Sequence, residues 1–454
     1  MRLIREEKTF IREAVLLMLP MILQNFVTFS MSMADTFMVG VLGETALAAV
    51  TMANSPFYVM QLMIFGVQSG MSVLVAQYHG RGDQEAINRV MGIALFVSTT
   101  ITGLLAITAF CIPEQIMRVL TNNADLVAPG AAYTRYVGFS YFFSAISGVY
   151  IAAQRSTENP RLGAALLTVS GVLNIFLNWV LIYGKLGAPG LGCAGAAIAT
   201  GLSQCVGGLF PLLYFLRPNT SKLRLVRTKL ELRPILNACG NGSSELMSNI
   251  SSSIVSMLYN FQLLKYIGED GVSAYGVLMY VQFIFIAIDI GYAIGCAPIV
   301  GFHYGAQNHA ELKNMLKKSV LLMCASGAVL TLLARLLAAP LAKLFVGYDE
   351  GLYTLTCHAF RLFSFAFLFA GFNIFASSFF TALGNGLISA AISFLRTLVF
   401  QTASVFILPL IFDVDGIWYA ITVAEVFATL ISVIFLFAKR KKYHYMECSP
   451  HGKK

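Results

Sequence analysis

The sequence predicts an all-α polytopic membrane protein, with twelve transmembrane helices in two pseudo-symmetric six-helix bundles. Three observations predict it. Charged residues make up 12% and hydrophobic residues 57% of the 454-residue chain, about half the charge of a soluble domain. That leaves too little polar side chain to clothe soluble domains, and it argues against a disordered chain, a nucleic-acid module or a disulfide scaffold. Apolar runs of spanning length occur twelve times. The second half of the chain also repeats the first at a nearly constant offset.

In order, the runs are 14–40, 46–78, 90–112, 131–153, 162–184, 193–216, 235–267, 271–303, 318–340, 354–382, 387–412 and 416–438. A bilayer needs about 20 apolar residues per helix, so the longer runs imply tilt, kinks or protrusion. Pro20 and Pro56 lie inside runs and are expected to bend them, because each removes one backbone donor. The first 13 residues are polar and basic, and the run after them is too long for a signal h-region and has no A-x-A site. No cleavable signal is expected.

Of the 31 Lys and Arg residues, 23 fall before the first run, in the loops after even-numbered runs, or in the tail. Arg118, Lys185, Lys265 and Lys343 fall on the other side, and Arg135, Arg335, Arg361 and Arg396 lie within runs. The positive-inside rule then places both termini in the cytoplasm. The net charge of +9 reads as topology, not as affinity for nucleic acid.

The repeat is visible in aligned residues. A shift of 225 superimposes Gly43 on Gly268, Glu44 on Glu269, Gly66 on Gly291, Gly70 on Gly295 and Gly80 on Gly305. A shift of 226 superimposes Arg135 on Arg361 and Asn159 on Asn385, and GAAIA at 195–199 resembles GIWYA at 416–420. The expected organisation is a first lobe at 1–216, a basic cytoplasmic linker at 217–234, a second lobe at 235–438 and a cytoplasmic tail at 439–454. Six helices per lobe is an even number, so the halves enter from the same side and form parallel repeats. Halves of this kind rock about a central site, which favours a transporter over a receptor or an enzyme.

Chemistry-bearing residues are few. The eight cysteines form no CxxC pair, and all but Cys448 sit in or beside apolar runs, so they are expected to be small buried hydrophobes. No HExxH, Walker A, Asp-rich diphosphate or haem motif occurs, so neither an enzyme nor a cofactor is expected. Four of the 22 acids lie within runs: Asp35, Glu245, Asp289 and Glu425. Acids inside a bilayer are costly and usually functional, facing the bundle interior. Counting about 1.5 Å per residue puts Asp35 roughly 8 Å below the outer end of its helix. Asn178 and Thr200 fall at a similar depth, and Asn174 lies one turn deeper on the same face as Asn178. Four polar groups from three helices are therefore expected in one outer-half layer. In the second half, an ion pair between Glu245 and Arg396, or between Asp289 and Arg396, competes with a functional reading of each acid. Arg135 and Arg361 are expected to anchor helix ends. The 35 Phe, 18 Met and 19 Tyr suit promiscuous binding, with Met33, Met52 and Met63 as cavity candidates.

Several segments resemble one family. MADTFMVG at 33–40, ALAAV at 46–50, QYHGRGD at 77–83 and NIFLNWVLIYGKLGAPGLGCAGAAIAT at 174–200 are similar to MATE (multidrug and toxic compound extrusion) transporters. The resemblance implies a V-shaped exporter of cationic or amphipathic organic compounds, driven by inward H⁺ or Na⁺. It also implies a bacterial plasma membrane location and a monomer. The coupling cation is implied at Asp35, with the fifth-helix pair at Asn174 and Asn178 and the sixth-helix hydroxyl at Thr200. Asn178 stands where relatives often carry Asp, so that pocket lacks a second carboxylate. The helix-10 acid of one branch maps to Asn373, and Glu245 lies too early to match its helix-7 acid. The alternative is a flippase for a lipid-linked or amphipathic substrate, which should line its cleft with several Arg or Lys.

Overall fold

The computed structural model describes residues 24, 27–28, 31–157, 160–216, 223–224 and 232–446, without the side chains of 160–161, 232–239 and 241–246. Every regular element among the described residues is helical. The chain divides into two compact units, Met1–Cys239 and Gly240–Lys454. Ten stretches among the described residues are long and apolar enough to cross a membrane. The first and seventh predicted spans appear as a helix at 31–40 and as Leu232–Tyr266. Twelve spanning helices in two repeats result.

In the first unit, α1 covers residues 31–40. It is followed by α2 (Glu44–Ala53), α3 (Ser55–Arg81), α4 (Gln84–Cys111) and α5 (Pro113–Leu120), then α6 (Ala124–Ser156), α7 (Pro160–Tyr183) and α8 (Gly192–Leu216). The second unit is built from α9 (Leu232–Tyr266), α10 (Glu269–Gly305), α11 (His309–Val346) and α12 (Glu350–Phe363). A 3₁₀ turn leads into α13 (Phe367–Ala382), and α14 (Gly386–Phe394) runs through a π-helical turn at Leu395–Phe400 into α15 (Gln401–Ile407) and α16 (Pro409–Tyr443).

Helix starts carry the repeat to the residue. α2 and α10 begin at Glu44 and Glu269, α4 and α11 at Gln84 and His309, and α6 and α12 at Ala124 and Glu350. The capping chemistry repeats as well. Asp83 accepts from the Ala86 N–H at 3.0 Å, and Asn308 accepts from the Glu311 N–H at 3.2 Å. Asn123 and Asp349 cap α6 and α12 in the same way. Each such cap contributes about 1 kcal/mol.

The repeats differ where proline or charge differs. α2 and α3 part at Asn54 because Pro56 supplies no donor to the preceding turn. α10 runs unbroken through the equivalent position, which is Val281. α5 and the first turns of α6 lie between the apolar runs, where Pro113 and Asn123 start both helices despite their polar composition. α16 is interrupted at Phe412 and Asp413, where Asp413 takes φ 47°. Cys111 and Cys324 are exposed and Cys193, Cys205 and Cys357 half-buried, so of the six described cysteines only Cys296 is the buried hydrophobe expected. The side chains of Cys239 and Cys448 lie outside the described residues.

Each unit has its own apolar interior. In the first, Met60, Ile64, Tyr133 and Tyr141 form one cluster, and Met71, Met91, Tyr150 and Phe215 form another. In the second, Phe360, Phe363, Phe367 and Trp418 pack with Leu278 and Leu330. Outward faces stay apolar: Leu321, Leu332, Leu336 and Leu344 of α11 are all exposed. Water would penalise that surface, and lipid does not.

A tyrosine clasp closes one end of the second unit. The Tyr443 hydroxyl accepts from Asn385 Nδ2 at 2.8 Å, and its ring meets Tyr304 edge-on at the end of α10. Tyr445 is fully buried against Phe379 and donates to the Leu436 carbonyl at 2.7 Å. Asn385 meanwhile caps α14 through its Oδ1.

Candidate cation sites in the two units

In the first unit, α1 runs parallel to α7 along a series of close contacts. Gly163 faces Gln24, Gly171 faces Val27 and Met31, and the Tyr183 hydroxyl donates to the Met38 carbonyl at 2.9 Å. Between these contacts, Asn178 Nδ2 donates to Asp35 Oδ1. The same amide reaches Asn174 Oδ1 at 3.3 Å, and Asn174 Nδ2 donates to Thr200 Oγ1 at 3.3 Å. The four residues expected in one layer thus form one hydrogen-bonded chain across α1, α7 and α8.

α8 can approach α7 this closely because of Gly195. A Cβ there would stand 2.5 Å from the Leu181 carbonyl oxygen. Ser170 Oγ of α7 also donates to the Ser203 carbonyl of α8 at 2.7 Å.

Asn174 and Asn178 are fully buried and Asp35 is half-buried. Asn178 Oδ1 is buried with no hydrogen-bond partner among the described residues. A bare acceptor one amide away from a carboxylate is suited to a proton or a small cation and not to another carboxylate. Sequence reasoning missed Tyr133, whose buried hydroxyl donates to Asn54 Oδ1 at 3.2 Å and whose ring lies within electrostatic reach of Asp35. Its only sequence signal was the break at Asn54 itself. Met33 and Met63 are exposed, and Met52 packs against the cluster holding Tyr133.

In the second unit Arg396 pairs with Glu425 and not with Asp289, and the expected Glu245–Arg396 pair lies outside the described side chains. Arg396, in the π-helical turn, forks onto Glu425 of α16, with Nε 2.8 Å from Oε1 and Nη2 2.7 Å from Oε1. Asn373 of α13 donates to Glu425 Oε2 at 2.7 Å and to its backbone carbonyl at 3.0 Å, and it accepts from Ser432 at 3.2 Å. Glu425 is therefore neutralised, and Asn373 is committed to holding it. Asp289 is fully buried on α10 and accepts from Ser326 of α11 at 3.0 Å. The Glu245 side chain lies outside the described residues. Arg135, Arg335 and Arg361 are exposed. Among the described residues, no group of three or more His, Cys, Asp or Glu side chains is placed to hold a metal ion.

Two sequence-related helical bundles, each with a carboxylate half-buried or fully buried inside apolar spans, define a membrane transporter built by duplication. The chain belongs to the MatE family, whose model matches residues 20–180 and 246–407. It is 27% identical over 354 residues to the probable multidrug resistance protein YoeA of Bacillus subtilis, covering 75% of each chain. It is 22% identical over 436 residues to the multidrug export protein MepA of Staphylococcus saprophyticus, covering 93% of this chain and 92% of that one. The fold matches an outward-facing multidrug resistance MATE transporter of the MOP superfamily with TM-score 0.84 at 22% identity, covering 95% of this chain and 96% of that one. A MOP superfamily transporter from Pyrococcus furiosus, described as having a binding pocket of reverse polarity, matches with TM-score 0.82 at 22% identity over the same shares.

Proposed function

We propose that this chain exports cationic or amphipathic organic compounds by antiport with H⁺ or Na⁺ bound at Asp35. The substrate class follows relatives named as multidrug resistance and multidrug export proteins. In the proposed cycle the two lobes, 1–216 and 235–438, rock to alternate access. The compound leaves as the cation binds from outside, and both termini stay in the cytoplasm of a monomeric plasma-membrane protein. The coupling ion must bind the two states with different affinities, or it drives nothing.

The observation that carries this reading is the unpartnered, buried Asn178 oxygen beside Asp35. With Asp35 charged, the Asn178 amide donates to it. With Asp35 protonated, a flipped amide accepts from it, and the rest of the Asn174–Thr200 chain adjusts. With Na⁺, the Asp35 carboxylate, Asn178 Oδ1 and Thr200 Oγ1 supply oxygen ligands. Arg396, half-buried near the middle of its span, is already forked onto Glu425 and is not free to cradle the phosphate of a lipid-linked substrate. That weighs against the flippase alternative.

The test is ethidium transport in proteoliposomes under separate pH and Na⁺ gradients. Asp35→Asn should abolish gradient-driven export while the protein still inserts in the membrane. Normal export by that variant would sink the assignment.

A further inference from the structure

We propose that Asp289 is a second proton-exchange site, built in the second unit from α10, α11 and α13 and separate from Asp35. The carboxyl is fully buried, and its Oδ2 has no hydrogen-bond partner among the described residues. The charge that acts on it is Arg396, but that guanidinium is bidentate on Glu425. Two buried acids thus share one base, and the base is engaged. A buried carboxylate without its own counter-charge is expensive in an apolar bundle, so the site takes up a positive charge.

The geometry selects a proton over a larger cation. A Cβ at Gly371 would stand 3.0 Å from the carboxyl carbon and from both oxygens, so the α13 backbone lies flat against the group. Ser326 is the one side chain among the described residues bonded to it. A metal cation needs a shell of several oxygens, and that space is filled. Among the described residues the other packed elements place no competing charge on it, and Cys324 and Arg335 of α11 are exposed. α13 carries no titratable side chain, and the Tyr353, Cys357, His358 and Arg361 side chains of α12 are not among the groups acting on the carboxyl. On α10 itself, Tyr292 bonds to Ser319 at 2.8 Å instead.

Proton uptake balances simply. The proton forms an O–H bond on Oδ1, and the Ser326 hydroxyl rotates from donor to acceptor. Oδ2 becomes a neutral carbonyl oxygen, for which a missing partner costs far less than for a charged one. Ser326 is half-buried, so its hydroxyl is the route by which the proton arrives.

This site is not the repeat copy of the first. Shifting by the repeat offset places Asn260 at the position of Asp35 and Ile64 at that of Asp289. Each unit therefore holds its own exchangeable carboxyl at an unrelated position.

The experiment is infrared difference spectroscopy of the full-length protein in lipid nanodiscs across a pH titration, following the C=O stretch of protonated carboxylic acids. Asp35→Asn should leave one titrating band, and Asp289→Asn should remove that band and leave the other. Ser326→Ala should displace the titration of the Asp289 band without removing it, and this variant carries the test if Asp289→Asn fails to fold. An Asp289→Asn spectrum identical to wild type, a Ser326→Ala spectrum with no displaced band, or an Asp35→Asn spectrum with no titrating band overturns the proposal. Normal export by Asp35→Asn would refute the preceding section and leave this one standing.

Discussion

Removing Arg396 alone should be among the most damaging single changes in the second unit. The Glu425 side chain is 2% exposed and that of Arg396 is 17% exposed. In Arg396→Met the carboxylate keeps one side-chain donor, Asn373 Nδ2 at 2.7 Å. Breaking a buried pair from one side costs about 3–5 kcal/mol. For a unit of this size each kcal/mol shifts Tm by about 2–4 °C, so a fall of roughly 6–20 °C is expected. Glu425→Gln should cost less, about 1–3 kcal/mol, because Gln still accepts from Asn373 and Arg396 retains some exposure. The double change Arg396→Met/Glu425→Met removes both charges and leaves Asn373 its bond to the residue-425 carbonyl at 3.0 Å. It should recover at least half of the loss seen in Arg396→Met. The assay is thermal unfolding of detergent-purified protein by intrinsic fluorescence, since Trp418 is buried on the same helix as Glu425. A double variant no more stable than Arg396→Met alone would refute the argument that the charges are coupled.

Asn178→Leu should stop export as completely as Asp35→Asn in the proteoliposome assay. Thr200→Val removes the terminal acceptor of the chain, so it should cost about 1 kcal/mol of stability and keep most transport under a pH gradient while lowering transport under a Na⁺ gradient. Gly195→Ala should lower Tm by several degrees, through an overpacking cost of about 1–3 kcal/mol against the Leu181 carbonyl. Gly276→Ala, where a Cβ meets nothing within 4 Å, should leave Tm unchanged or slightly higher. Burial pushes the Tyr445 phenol above its ordinary value. Its contribution is therefore complete below about pH 10 and is lost as pH rises through the folded-state value. Tyr445→Phe should cost about 1 kcal/mol at neutral pH and flatten the alkaline end of the stability–pH curve.

The spans and their repeat were legible because hydropathy and offset are properties of the chain itself. The offset of 225 to 226 returned in helix starts and in caps, from Asp83 and Asn308 to Asn123 and Asp349. The grouping of Asp35, Asn174, Asn178 and Thr200 was legible because depth along a helix is arithmetic, and Asn174 and Asn178 are one turn apart. What was hidden depended on neighbours. Arg396 was expected to compete for Asp289, but it forks onto Glu425 from a π-helical turn that leaves no mark in composition. The exposure of Cys111 and Cys324 was hidden for the opposite reason. An apolar run in a lipid-facing helix reads like a buried one, because hydropathy does not separate lipid from protein interior.

The tyrosine clasp bears on how the second unit is assembled during synthesis. Tyr443 and Tyr445 join α10, α13, the cap of α14 and α16, and every one of those helices precedes them in the chain. Until these residues leave the ribosome, Asn385 has no phenol to hold and Phe379 lacks its aromatic neighbour. The earlier helices of that unit can insert, but their shared end is sealed by residues that emerge after all of its other helices. A nascent chain stalled a few residues short of Tyr443 would present an inserted but open bundle, which is the kind of substrate membrane quality-control proteases recognise.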